Sequence, residues 1–223
     1  MKIKVITRHA PSNYGSLLQA IATQVSIERL GHQCEIIDYL REDEHGLQGV
    51  LTSLRGKSWN SNLLKRIVYL LIRCPSAWLA ERKFQEMRKH YLKLTKRYVT
   101  CGELALEVDG DRYMTGSDQV WGPVSDGYYD PAYFLSFVKE KNKKIAYAGS
   151  FGRTEFTDET LDAYSAMLSQ YKYVTVRESS AVDLLVKMHV ACEGQVLDPT
   201  LLLDASDWSQ YIIKGGGKAA GYV

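Results

Sequence analysis

The sequence lacks most of the features that would assign it a chemistry at once. It has only four cysteines, Cys34, Cys74, Cys101 and Cys192. They are far apart and form no CxxC pair, which leaves the usual zinc patterns unsupported and predicts reduced thiols in a cytosolic protein. An excess of one charge is also missing. The net charge of +2 gives no argument for nucleic acid as a partner. Long apolar runs are absent too. The longest, from Ile67 to Ile72, cannot span a bilayer, which needs about 20 residues. Met1 to Thr7 is too short and polar for a signal peptide, so the expectation is a soluble, cytoplasmic chain.

Familiar catalytic signatures are equally scarce. No GxGxxG follows the first predicted strand, and there is no HExxH or GxSxG. Gly215-Gly-Gly-Lys218 is not a phosphate loop, because Ala219 follows the lysine and the first glycine of that motif is missing. The five histidines, His9, His32, His45, His90 and His189, show no spacing that suggests a metal. The prediction is no metal site and no resident cofactor.

What is there is an alternation of strands and helices. The chain has 223 residues, 45% of them hydrophobic, enough for one large domain with a sizeable core. Lys2 to Thr7 reads as a strand, about Ser16 to Leu30 as a helix closed by Gly31, and Gln33 to Tyr39 as a second strand. This βαβ unit implies a parallel sheet. Asp43 to Asn62 reads as a polar excursion. Two helices are predicted next, about 63–73 and 76–91, parted by Pro75. From Arg55 to Arg97 there are twelve Lys/Arg against Glu81 and Glu86 alone. Such a basic insertion is a solvated face or a contact with an anionic membrane surface or polyanion.

Strands are further expected at 112–115, near Lys143–Ala148 and at 173–176. Helices are expected at about 157–170, 181–188 and 207–213, with a strand and turn over 195–204. The aromatic stretch from Tyr128 to Phe137 reads as a lid or short strand. Residues 1–213 form a Rossmann-like domain in this reading, with residues 41–100 as its helical insertion. Residues 214–223 read as a glycine linker and the start of a second domain.

In a parallel sheet the carboxyl ends of the strands share one edge, where ligands bind. That edge collects His9, Asn13, Tyr14, Ser117, Asp118, Gln119, Trp121, Ser150 and Arg177. A hydroxyl, a carboxylate, an amide and an indole within Ser117–Trp121 suit a sugar; a polar turn is the plainer alternative. The Arg177 guanidinium matches a carboxylate or phosphate, and its plainer alternative is a salt bridge to Glu178 or Asp183.

Six segments in register carry a resemblance. They are Asn13-Tyr-Gly-Ser-Leu-Leu-Gln19, Gly116-Ser-Asp-Gln-Val-Trp121, Tyr133-Phe-Leu-Ser-Phe137, Lys144-Ile-Ala-Tyr-Ala-Gly-Ser-Phe-Gly152, Val176-Arg-Glu-Ser179 and Leu197-Asp-Pro-Thr-Leu-Leu-Leu203. Together they resemble the polysaccharide pyruvyl transferase family. The resemblance implies two Rossmann-like domains facing across a cleft, as in B-type glycosyltransferases, of which this chain is the first. It implies transfer of a pyruvyl group from phosphoenolpyruvate to a sugar, forming a cyclic ketal, with no further cofactor. Arg177 would hold the donor. His9, Asn13, Tyr14, Gly15, Ser117, Gln119, Trp121 and Ser150 would line the acceptor cleft. For the chemistry of such a transfer, Asp118 would orient or deprotonate a sugar hydroxyl, or else be a carboxylate hydrogen-bonded within a turn. The second donor arginine and the catalytic histidine belong to the second domain, so the chain alone is expected to be inactive. The acceptor is a glycan or its lipid-linked precursor, with peripheral membrane contact through the basic helices. A sugar-nucleotide glycosyltransferase acceptor domain and a non-catalytic glycan-binding module remain as alternative readings.

Overall fold

A computed structural model of the protein describes residues 1–40, 62–123 and 129–211. The expected excursion at 43–61, Tyr128 and the glycine tail lie outside these residues.

Seven strands form one parallel sheet: β1 (Lys2–Ile6), β2 (Gln33–Tyr39), β3 (Leu94–Tyr98), β4 (Arg112–Thr115), β5 (Lys144–Gly149), β6 (Tyr173–Val176) and β7 (Gly194–Gln195). Their spatial order is β3-β2-β1-β4-β5-β6-β7. Every pairing is parallel. The order reverses between β1 and β4, where the crossovers turn to opposite faces and leave a crevice at the carboxyl edge. This is a Rossmann-like α/β fold.

Alternation along the strands separates two cores. Ile3, Val5 and Ile36 face one side, where α1 (Tyr14–Arg29) supplies Leu17, Ala20 and Ile21 and α2 (Leu63–Tyr91) supplies Phe84. Ile6, Ile37 and Tyr113 face the other. There α3 (Cys101–Glu107), α4 (Asp158–Leu168) and α5 (Ser179–Lys187) supply Leu104, Tyr164 and Leu185. The last helix among the described residues, α6 (Ala205–Ser209), starts two residues before its expected position because Asp204 and Asp207 form a capping box.

Several expectations change. The two helices at 63–73 and 76–91 are one helix running through Pro75. The Ser76 hydroxyl donates to the Arg73 carbonyl at 3.0 Å, so a polar partner sits beside the proline break. Residues 94–98, placed in the helical insertion, are one of the sheet's two edge strands. Lys96 and Arg97 obscured it, yet exposed charge is typical of an edge. Helix α3 carries a Thr100/Glu103 capping box. The aromatic stretch is neither lid nor strand. Pro131–Phe134 is a 3₁₀ turn capped by Asp130, and Tyr133 and Phe134 are buried in the second core. The strand expected from 195 is two residues long, and Pro199–Leu202 is a further 3₁₀ turn.

Candidate active site at the carboxyl edge of the sheet

The loops after β1 and β4 flank the switch point, and hydrogen bonds tie them together. The Thr7 hydroxyl donates to the Ser117 carbonyl at 2.5 Å, and the Gln19 amide donates to the Thr7 hydroxyl at 2.9 Å. Gly116 sits here because an added Cβ would lie 3.1 Å from the Thr7 Cβ. Asp118 then turns the backbone with φ 89°, a left-handed conformation that Asp tolerates better than most residues. Its Oδ2 accepts from the Ser16 hydroxyl at 2.7 Å and its Oδ1 from the Gln119 N–H at 2.7 Å.

On β5, Ala148 also has positive φ, 55°, where the register with β6 shifts. A bridge joins Asp118 to Gly149, so the two unusual backbone positions are neighbours at one edge. Non-glycine residues held in such conformations concentrate at functional sites.

Arg177 leaves the end of β6 half-buried. Its Nε donates to Glu178 Oε1 at 2.9 Å, and Nη1 donates to Asp198 Oδ2 at 3.0 Å and more weakly to Ser117 Oγ at 3.4 Å. Among the described residues, Nη2 is the guanidinium nitrogen outside these bonds. The salt bridge weighed for Arg177 therefore exists to Glu178, not to Asp183, and Asp198 adds a second. Asp198 also accepts from the Ser117 hydroxyl at 3.1 Å and, on its other oxygen, from the Thr200 N–H and hydroxyl. Burial pushes the Asp198 carboxyl up. The hydrogen bonds from Thr200, Arg177 and Ser117 outweigh it and leave it below its ordinary value. Burial likewise pulls Arg177 down, and Asp198 with Glu178 more than restores it.

The expected cleft residues divide in two. Asn13 and Tyr14 are exposed, the first as the cap of α1 and the second against Phe84 at 4.8 Å between ring centroids. Gly15 is exposed beside the Asn13 side-chain oxygen Oδ1, and Gln119 is exposed above Gly152. The others point inward. Trp121 is fully buried and packs against Phe134, Phe151 and Tyr171, so its indole is core and not a sugar platform. The pull of apolar burial on so large a ring exceeds that of a polar loop. Ser150 is buried and accepts from the Gly152 N–H at 3.1 Å.

His9 is also fully buried, with its ring nitrogens 3.1 Å from the Thr7 carbonyl and 3.2 Å from Asp38 Oδ1. Burial pushes Asp38 up, but His9 and then Arg97 outweigh it, holding the carboxyl below its ordinary value of 3.8. A depressed carboxyl contributes stability above its unfolded value and loses it as pH falls through the folded one. Asp38→Asn is therefore expected to cost about 1–3 kcal/mol near neutrality. Its stability deficit relative to wild type should shrink below about pH 4 in urea melts taken across pH. A deficit that stays constant would refute the linkage.

Two residues absent from the expected site prove central, Asp198 and Ser16. The Asp198-Pro199 pair, at a strand's carboxyl end, was the available signal, since Asp before Pro favours a turn whose carboxylate stays local. Another cation, Arg153, follows β5 and lines a pocket of about 410 Å³ with Pro123, Phe156 and Thr160. Among the described residues, no three His, Cys, Asp or Glu side chains are grouped to hold a metal ion.

The arrangement is a polar shelf of carboxylates and hydroxyls suited to hydroxyl-rich ligands, with Arg177 as its half-buried cation. No curated protein and no solved structure matches the chain. The family model described as Polysaccharide pyruvyl transferase matches residues 13–223, beginning at the asparagine that caps α1 and taking in every loop of this edge from there on. The chain therefore belongs to the polysaccharide pyruvyl transferase family, a family of transferases.

Proposed function

We propose that the protein transfers a pyruvyl group from phosphoenolpyruvate to a sugar of a polysaccharide or its lipid-linked precursor, forming a cyclic ketal. The observation that carries this is the family match over nearly the whole chain. In the reaction the donor's methylene carbon takes a proton, leaving C2 oxocarbenium-like. One sugar hydroxyl adds to C2 and loses its proton, the C2–O bond to phosphate breaks, and a second hydroxyl closes the ketal. Two hydroxyl protons balance the methyl group formed and the phosphate released.

In this scheme Arg177 offers Nη2 to the donor while Asp198 and Glu178 hold the fork in place. Asp118, with one bond on each oxygen, has lone pairs left for a sugar hydroxyl and would orient or deprotonate it. Arg177 carries one positive charge against the three carboxylates of Asp118, Glu178 and Asp198, a net of two negatives at this cluster. An anionic donor thus needs more cations than this cluster provides. The second domain implied by the resemblance would supply them together with the proton donor. On this reading the 223-residue chain alone releases no phosphate.

The test is acceptor-dependent phosphate release from phosphoenolpyruvate by the chain together with the proposed second domain, with a glycan acceptor. Consumption of a nucleotide sugar with phosphoenolpyruvate untouched would replace this reading with glycosyl transfer.

A further inference from the structure

Helix α2 has two halves with different surroundings. From Glu81 onward it is anchored. Phe84 packs in the core, the Arg88 guanidinium donates to the Ala10 carbonyl at 2.7 Å, and Glu81 accepts from the Ser12 hydroxyl at 2.8 Å. Those contacts set the level of Glu81 at the loop after β1, on the candidate site's edge. The preceding residues, back to Leu63, run on from that level for about 27 Å at 1.5 Å per residue.

That projecting half is apolar on one side. Leu63, Leu64, Ile67, Leu71, Ile72 and Trp78 fall within one arc of about half the helix circumference at ~100° per residue. They are 48% to 73% exposed. The small groove there, about 280 Å³, is lined by helix residues alone: Ile67, Leu70, Leu71, Cys74 and Pro75. Lys65 and Arg73 lie outside the apolar arc and are exposed. No acidic residue occurs between Arg55 and Ala80. An exposed apolar stripe of this size calls for a partner.

We infer that this half of α2 docks the protein in the plane of an anionic lipid bilayer. An apolar face with a tryptophan, bordered by cations and free of carboxylates, is the pattern of a helix lying at the headgroup boundary. The long stems of Lys65 and Arg73 allow their charges to reach headgroups while the apolar arc is immersed. Among the described residues no helix is long and apolar enough to cross a membrane, so the contact is lateral. A second copy of the helix would bring like charges together, whereas an anionic surface complements them. Docking would hold the polar shelf at the sheet edge beside the bilayer. The inference stands on the helix alone and does not depend on the pyruvyl chemistry.

Vesicle sedimentation of the full chain tests it. Phosphatidylcholine vesicles containing about 30% phosphatidylglycerol should carry the protein down, and phosphatidylcholine alone should not. Leu71→Asp with Ile72→Asp should lower the bound fraction about tenfold or more, and Lys65→Glu with Arg73→Glu on the order of tenfold. All four positions are exposed, and unchanged circular dichroism would show that folding is intact. No binding to the anionic vesicles, equal binding to both kinds, or binding unaffected by the aspartates overturns the proposal. So does a dimer in sedimentation equilibrium that the aspartates convert to monomer, which assigns the face to a second copy. Binding that appears only after removal of residues 41–61 overturns it as well, because that segment would then be the occupant.

Discussion

Trp121→Ala is expected to destabilise the fold by about 3–5 kcal/mol, read from urea unfolding. The indole is fully buried between Phe134, Phe151 and Tyr171, so truncation opens a large cavity in rigid surroundings. The Tyr164 hydroxyl also donates to the Trp121 carbonyl at 2.8 Å, tying α4 to this loop. The opposite change tests the same packing. A Cβ on Gly149 would stand 2.5 Å from the indole Cη2, so Gly149→Ala overpacks the site at a cost of about 1–3 kcal/mol. In the Trp121→Ala background that added methyl has room, and the double mutant should lose less than the sum of the singles. Strict additivity, or a Trp121→Ala cost below about 1 kcal/mol, would show that the indole does not fill this space.

Arg177→Ala, in the chain together with the proposed second domain, is expected to lower donor affinity or turnover tens- to hundreds-fold, about 2–4 kcal/mol. Stability should fall far less, by about 1 kcal/mol or under, because the guanidinium remains partly open to solvent. The contrast between the two readouts separates a ligand-binding arginine from a structural one. Arg177→Lys should recover little, since an ammonium cannot span Glu178, Asp198 and a ligand at once. Unchanged kinetics in Arg177→Ala would reduce it to a partner for Asp198.

Much of the fold was legible because local chemistry and tertiary packing agreed. The βαβ start is an example. Asn13 caps α1, Gly31 closes it at φ 78°, and β1 and β2 pair in parallel as their apolar residues require. The strands at 112–115 and 173–176 were legible for the same reason. Failures came where the two disagreed. Leu94–Tyr98 carries two adjacent cations in its strand, tolerable only because it lies at the sheet edge. Pro75 reads as a break, yet the turns on both sides continue the helix.

The candidate site divides along the same line. Residue order alone determined that polar loops gather at one sheet edge, because parallel strands must all end there. It also determined the family, through short segments whose spacing survives without any structure. Which of those side chains face outward was decided only in three dimensions. Trp121 and His9 turned into the protein because apolar contact, in one case, and the Asp38 carboxylate, in the other, outcompeted solvent. Arg177 met Asp198 across 21 residues of chain, a pairing that depends on how far β7 and the following turn carry the backbone. Sequence periodicity reports distances along the chain, and this contact is a distance across it.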